Sequence, residues 1–261
     1  MNRNTAIANG LVKREMEKHN STIVSYLNTN YGQSGKTYLY KAVYKNFLPL
    51  NSTTVCFIRL PLDKIMNRFI KRTTDIFLAL IVITTILWWL IPLMSVLIKI
   101  GSRGPVFFIQ KRNKQNGAIF NCIKFRSMTI NPLADILPAA ENDERITVIG
   151  RIIRKTFIDE LPQFFNVLWG DMSVIGPRPH MLSESLRFEE QLSYYRYREK
   201  IKPGITGLSQ ILGLEGAADS KQKIKDRVDI DVFYLRHWSL RLDLIILYKT
   251  VCKMTGLNFI G

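Results

Sequence analysis

Two adjacent carboxylates, Asp159 and Glu160, stand directly before Leu161-Pro162 in the stretch RKTFIDELPQFFNVLWGDMSVIGPRP. Aspartate is a good helix N-cap and proline is accepted in a first helical turn, so the pair is expected at a helix N-terminus. There the helix dipole and free N–H groups favour anions, which keeps a carboxylate ionised and available as a nucleophile. Arg154 and Lys155 precede the pair by about one helical turn and are placed to hold a phosphate. An ordinary helix cap with flanking charges would use the same residues, and the pair alone does not separate the two readings. Gly176-Pro177-Arg178-Pro179 is different in kind. Two prolines fix the backbone on either side of one arginine, presenting its guanidinium for a bidentate phosphate contact. A solvated turn remains the other reading of that motif. Lys202-Pro203-Gly204-Ile205-Thr206-Gly207 is likewise a rigid turn that opens on a cation, and Lys124 and Arg126 add two more.

Other chemistries lack their residues. There is no GxxxxGK[ST] loop, no GxGxxG after a strand and no HExxH. His19, His180 and His237 are isolated and are read as structural. Asp229-Ile230-Asp231 forms a DxD triplet, which a metal-dependent glycosyltransferase would use to hold its ion. The triplet arises easily by chance, and the strand–helix alternation of such folds is missing. Cys56, Cys122 and Cys252 are odd in number and far apart. They exclude a disulfide framework and a CxxC zinc site, and fit a reducing compartment.

The elements that must position these residues start from an amphiphilic chain. Its 261 residues carry 37 Lys+Arg against 21 Asp+Glu, a formal net charge of +16, and 47% are hydrophobic. That apolar content excludes plain disorder. The basic excess points to an anionic partner: a lipid surface, phosphorylated substrates or nucleic acid. A non-catalytic basic membrane adaptor would account for the charge but leaves the Asp-Glu and GPRP residues unexplained.

Residues 76–98 form an uncharged run of 23 residues. As a straight helix it would be about 35 Å long, enough to cross a hydrocarbon core. Pro92 interrupts it, and proline breaks or kinks a helix interior. Five basic residues flank each side: Arg59, Lys64, Arg68, Lys71 and Arg72 before it, and Lys99, Arg103, Lys111, Arg112 and Lys114 after it. A spanning helix should show asymmetry, so the flanks suggest that both ends stay on the cytoplasmic face. A re-entrant helix broken at Pro92 meets that condition, while a spanning helix remains the alternative. Trp88 and Trp89 are expected to pack at the break.

Residues 61–75 read as a surface-lying lead-in to this helix. Residues 105–110 and 118–125 read as a β-hairpin whose loop ends Asn116-Gly117. Residues 130–147 read as a mobile loop, and 145–172 as two helical pieces. Residues 229–254 read as an interfacial amphipathic helix, on Trp238, Tyr248 and Lys249. The division is a basic extension of unassigned role (1–60, with a short helix near 11–19), a lead-in with the membrane helix (61–104), and a cytosolic catalytic domain (105–261). The fold class is α+β, mainly helical.

Together these pieces resemble the bacterial sugar transferases, the monotopic phosphoglycosyl transferases. The resemblance covers about residues 63–255 and rests on the order of FIKRTTDI, GPVFFIQKR, FNCIKFRSM, IGRIIRKTFIDELPQFFNVLWGDMSVIGPRPHM, KPGITGLSQILG and DVFYLRHWSLRLDLIILYKT. It implies transfer of a phospho-sugar from a UDP-sugar to polyprenyl phosphate, with release of UMP, at the bacterial cytoplasmic membrane. It implies that Asp159 attacks the phosphorus bearing the sugar, that Glu160 and Asp159 bind Mg²⁺, and that Arg154 and Arg178 meet the phosphates. Lys124 and Arg126 join that phosphate-binding set. The membrane helix is implied to be re-entrant, and anionic lipids join the expected partners while nucleic acid does not. UDP-glucose or UDP-galactose is the favoured donor. Oligomeric state stays open, a homodimer included. Two departures stand out: Ile91 replaces a serine common before the helix-breaking proline, and Lys114 replaces a common loop glycine. The first leaves the backbone groups freed at Pro92 without an obvious hydroxyl partner.

Overall fold

The computed structural model describes residues 60–131, 143–216 and 220–256. The helix expected near 11–19, nearly all of the 1–60 extension and most of the 130–147 loop lie outside the described residues.

The long apolar run does not form a separate element behind a lead-in. A short 3₁₀ turn, Pro61–Asp63, opens directly into one helix, α1, over Ile65–Gly101. Its 37 residues would extend about 55 Å if straight. Helical hydrogen bonding continues through Pro92, so the expected break there is not an interruption. The distortion lies one turn earlier, where Ile83–Leu87 widen into a π-helical turn and Trp88 N–H reaches back to Ile83 O. A proline cannot donate to the preceding turn, and a π turn upstream is one way a helix accommodates it. Hydroxyls bond the helix backbone on both sides of Pro92, although none among the described residues reaches Trp88 O, the carbonyl whose helical donor the proline removes. Thr84 and Thr85 Oγ1 donate to Leu80 O at 2.8 Å and Ile81 O at 2.6 Å, and Ser95 Oγ donates to Ile91 O at 2.7 Å. Trp89 Nε1 donates to Thr85 O at 3.0 Å, but both Trp88 and Trp89 are exposed rather than packed at the kink.

The expected hairpin forms from β1 (Phe107–Asn113) and β2 (Ile119–Phe125), antiparallel, with Gln110 opposite Cys122. Asn116 and Gly117 both have positive φ, 60° and 73°, as a tight Asn-Gly turn requires. Lys114 is extended, so its position needs no glycine, and its Nζ lies 2.6 Å from Asp171 Oδ1.

The two expected helical pieces are α2 (Val148–Lys155) and α3 (Gln163–Trp169), joined by a 3₁₀ turn at Ile158–Glu160. Thr147 Oγ1 caps α2 by accepting from Gly150 N–H at 2.9 Å. Asn166 clasps α3 to the hairpin: its Oδ1 accepts from Ile123 N–H at 3.0 Å and its Nδ2 donates to Asn121 O at 2.8 Å. The amide thereby fills the backbone groups left open on the edge of β2.

A second sheet was not expected. β3 (Ser173–Ile175) and β4 (Gly204–Thr206) pair in parallel, so the Lys202–Gly207 segment is a strand rather than only a turn. Glycine is required where these strands meet: a Cβ on Gly204 would stand 2.1 Å from Gly176 N, and one on Gly207 2.2 Å from Gly176 O.

Residues 229–254 also depart from expectation. They divide between α6 (Lys221–Arg236) and α7 (Leu240–Thr255), which follow α4 (Leu182–Gln191) and α5 (Leu208–Ile211). The run from Val228 to Leu235 is buried on every side, so α6 is a core helix. Trp238 and Lys249 are buried as well. Amphipathic character survives only on α7, which exposes Leu240, Leu244, Tyr248, Val251 and Met254 at helical spacing.

Both ends of α1 return to this one body. Its first half lies against α3 and β3, and its second half against α2. Arg126 fixes the chain beyond α1, donating to Ser102 O at 2.8 Å and Arg103 O at 2.6 Å. Between these anchors Phe77, Leu80, Ile81, Trp88, Leu93 and Val96 stand exposed.

The seat of α2 has no spare room. A Cβ on Gly150 would fall 1.8 Å from the Ser127 carbonyl oxygen. Gly150→Ala is therefore expected to destabilise the fold by about 1–3 kcal/mol, as overpacking does. Thermal unfolding of the detergent-solubilised chain measures it.

Candidate active site

Three elements bring charge to one point. The turn Ile158–Glu160 carries Glu160, β2 carries Lys124, and the loop after β3 carries Arg178. Lys124 Nζ lies 2.7 Å from Glu160 Oε1; Arg178 donates to Oε1 at 2.6 Å and to Oε2 at 3.1 Å. The Glu160 side chain is 11% exposed, so the three charges are largely out of water. Burial raises the Glu160 carboxyl, but Arg178 and Lys124 outweigh it and hold the group well below the usual carboxylate range. Glu160 in turn raises Arg178.

Asp159 is the neighbour without such partners. Its half-buried carboxylate accepts no hydrogen bond among the described residues. Burial pushes it up, Lys124 pulls it down, Glu160 pushes it up again, and Arg154 and Arg178 pull it down; the outcome is a raised pKa. The direction is opposite to the lowering that a helix N-terminus alone would give. The pair sits in the 3₁₀ turn ahead of α3, with Pro162 at the cap position, so desolvation outweighs the dipole. Arg154, on the last turn of α2, acts on Asp159 through its charge.

The turn that presents Asp159 is strained. Phe157 ends α2 in the left-handed region, φ 58° and ψ 14°. A bulky side chain there costs on the order of 1–3 kcal/mol, a cost that clusters at functional sites. The Lys253 ammonium sits over the Phe157 ring at 5.8 Å. Lys253 also pairs with Glu215.

Three donors hold the GPRP loop by its carbonyls. Gly204 N–H donates to Pro177 O at 2.9 Å, Arg198 to Arg178 O at 2.6 Å and Arg112 to Pro179 O at 2.5 Å. Arg198 is itself fixed by Asp231, with Nε to Oδ2 at 2.9 Å. The prolines therefore act with a backbone clamp that the sequence reading missed. Arg112 stands among the basic residues that flank the apolar run, and no local pattern marks it for this clamp.

The structure brings Asp159, Glu160, Lys124, Arg154 and Arg178 together. It does not bring Arg126 to them, since Arg126 is buried and spent on Ser102 and Arg103. The DxD residues are structural: Asp229 accepts from Tyr194 at 2.7 Å and from Lys225 at 2.5 Å, and Asp231 accepts from Arg198 and from Ser209 at 2.9 Å. Both are buried, with no oxygen turned to solvent for a metal. His180 is buried between Tyr195, Arg198 and Phe188, and His237 stacks on Phe233.

For Mg²⁺ the donor set is small. No group of three or more His, Cys, Asp or Glu converges among the described residues. Mg²⁺ commonly takes one or two carboxylates and completes its shell with waters and substrate phosphates. Glu160 Oε2, which accepts one hydrogen bond at 3.1 Å, and the Asp159 carboxylate are the oxygens that fit this need.

Residues 66–256 match the family described as bacterial sugar transferase. The chain is 44% identical over 197 residues to a UDP-glucose:undecaprenyl-phosphate glucose-1-phosphate transferase of Klebsiella pneumoniae, covering 74% of this chain and 41% of that one. A protein of the same name in Escherichia coli is 41% identical, with coverages of 72% and 40%. A UDP-N-acetylgalactosamine-undecaprenyl-phosphate N-acetylgalactosaminephosphotransferase of Aeromonas hydrophila is 42% identical, with coverages of 70% and 43%. The chain thus spans about two fifths of the length of these relatives.

Removing the central acid leaves Lys124 and Arg178 facing each other. Glu160→Gln is expected to lower stability by about 3–5 kcal/mol at neutral pH, the cost of breaking a buried ion pair. The folded pKa lies below the unfolded one, so this contribution is complete above about pH 4.3 and fades as pH falls through the folded value. The gap in urea midpoint between the two proteins should therefore narrow in acid.

Proposed function

This chain belongs to the bacterial sugar transferases, and on that premise we propose that it moves a sugar-1-phosphate from a UDP-sugar to polyprenyl phosphate, releasing UMP. One observation carries the reading: Asp159 has an open carboxylate beside three cations, Lys124, Arg154 and Arg178. The Asp159 carboxylate attacks the phosphorus that bears the sugar. The bond from that phosphorus to the UMP oxygen breaks, UMP leaves, and an aspartyl phospho-sugar remains. A phosphate oxygen of the lipid then attacks the same phosphorus, releasing Asp159 and forming the polyprenyl-diphosphate sugar.

A diphosphate repels a carboxylate nucleophile, so the site must offset charge before it can react. Arg154 and Arg178 supply fixed cations toward the phosphates, and Lys124, paired with Glu160, also acts on Asp159 through its charge. Glu160 and Asp159 are the residues that would hold Mg²⁺, whose charge would help neutralise the diphosphate. The cost of the raised Asp159 pKa is a smaller ionised fraction in acid. Its benefit is a carboxylate stripped of solvating partners.

The membrane arrangement is part of the same proposal. Both ends of α1 rest on one body, and a crossing helix would leave one end on the far side of the bilayer. The exposed residues between the anchors, and the stripe on α7, suit a helix dipping into the cytoplasmic leaflet of the inner membrane. The basic residues around the run would meet anionic headgroups. A lipid phosphate at that surface then lies within reach of Asp159. The relatives' names favour UDP-glucose, with an N-acetylated hexose as the second candidate. The product would be the first lipid-linked intermediate of a surface polysaccharide or glycoconjugate.

Asp159→Asn should abolish UMP release from every UDP-sugar offered with polyprenyl phosphate and Mg²⁺, while the protein stays in the membrane fraction. Full turnover in that variant would sink the assignment. In the wild type, kcat/KM should fall in acid at a pH above the usual aspartate value of about 3.9, because the raised carboxyl protonates early. A pH profile with UDP-glucose measures it.

A further inference from the structure

The π-distorted membrane helix also reaches into the catalytic body. Asp75 projects from α1, and its carboxylate is buried at the outer edge of β3. Its Oδ1 accepts from Val174 N–H at 2.9 Å and lies 2.9 Å from Ser173 Oγ. On the inner edge β3 already pairs with β4, where Ser173 N–H donates to Pro203 O at 2.8 Å and Gly176 N–H to Thr206 O at 2.9 Å. Val174 faces the other way, and among the described residues no third strand meets it. Asp75 supplies the acceptor that a neighbouring strand would have provided, which a buried N–H requires.

Only Ile175, Gly176 and Pro177 separate Val174 from Arg178. The short link leaves little freedom, because Pro177 locks φ and Gly204 N–H holds its carbonyl, while Arg198 and Arg112 hold the carbonyls of Arg178 and Pro179. A shift of β3 along or away from α1 is therefore carried into the guanidinium that clamps Glu160. One turn before Asp75, Lys71 pairs with Asp243 of α7 at 2.9 Å. Tyr234 OH completes the junction, donating to Asp243 Oδ1 at 2.7 Å and lying 3.2 Å from Ile175 O.

We propose that Asp75 is a positioning residue for the transfer reaction: from the membrane helix it fixes β3, and through β3 it sets Arg178 against Glu160 and the donor phosphates. This rests on the functional reading above. It makes the active geometry depend on how α1 is seated.

The test is a double-mutant cycle on the full chain in lipid nanodiscs, comparing Asp75→Ala, Arg178→Ala and both together. It is read in UMP release and, separately, in affinity for UDP with Mg²⁺. Asp75→Ala should cost about tenfold in each reading in the wild-type background and less than about twofold once Arg178 is gone, the non-additivity of residues acting as one unit. Asp75→Asn keeps an acceptor oxygen and should restore both readings to within about threefold of wild type. Equal losses in both backgrounds, or an Asp75→Asn as poor as Asp75→Ala, would overturn the proposal. If the alanine variant does not fold, Ser173→Ala removes half of the contact and enters the same cycle. A wild type that binds UDP but releases no UMP refutes the functional reading alone, and the affinity cycle still decides the role of Asp75.

Discussion

A buried carboxylate cannot stay charged without partners, and Glu160 draws its two from distant parts of the chain. Lys124 arrives on a hairpin, Arg178 on a loop after a parallel strand, and Glu160 itself on a 3₁₀ turn between two helices. Leaving any one of them alone in that interior would cost several kcal/mol. The ion cluster therefore imposes a condition on the rest of the fold. Asn166 must clasp α3 to β2, glycines must let β3 and β4 approach, and Arg112 and Arg198 must hold the GPRP carbonyls. Asp159 stands beside this arrangement and is the acid left open.

The relation between membrane and chemistry follows from the same economy of elements. The helix α1 is neither a free anchor nor a detached lead-in. Its polar face, Lys71, Arg72 and Asp75, is engaged within the body, with Arg72 donating to Val167 O at 2.6 Å and Leu168 O at 2.9 Å. Basic residues that look like headgroup contacts in the sequence are here partly spent on helix ends and buried acids. Its apolar residues divide between the core, with Leu87, Leu90 and Met94, and an exposed side, with Phe77, Trp88 and Val96.

Much of this was legible in the chain. The Asn-Gly turn, the two helical pieces and the rigid presentation of Arg178 follow from local rules about φ and side-chain donors. Asp159, Glu160, Lys124 and Arg154 were legible by type and spacing. What was not legible depends on distance in sequence. Arg126 looks like a free cation until Ser102 and Arg103 are found beneath it. The parallel pairing of β3 with β4 joins residues about thirty apart, and no local period announces it. Trp238 and Lys249 have interfacial character by type, yet their burial is decided by α6 and its neighbours. The raised pKa of Asp159 is a property of its surroundings, not of its place before a helix.

Phe157 holds a conflict with a consequence for how this sequence can drift. Its backbone geometry suits glycine or asparagine, which would relieve the left-handed strain. Its ring is what Lys253 covers. Substitutions that ease the backbone discard the ring, and aromatic substitutions that keep the ring retain the strain. Most neutral paths through that position are thereby closed.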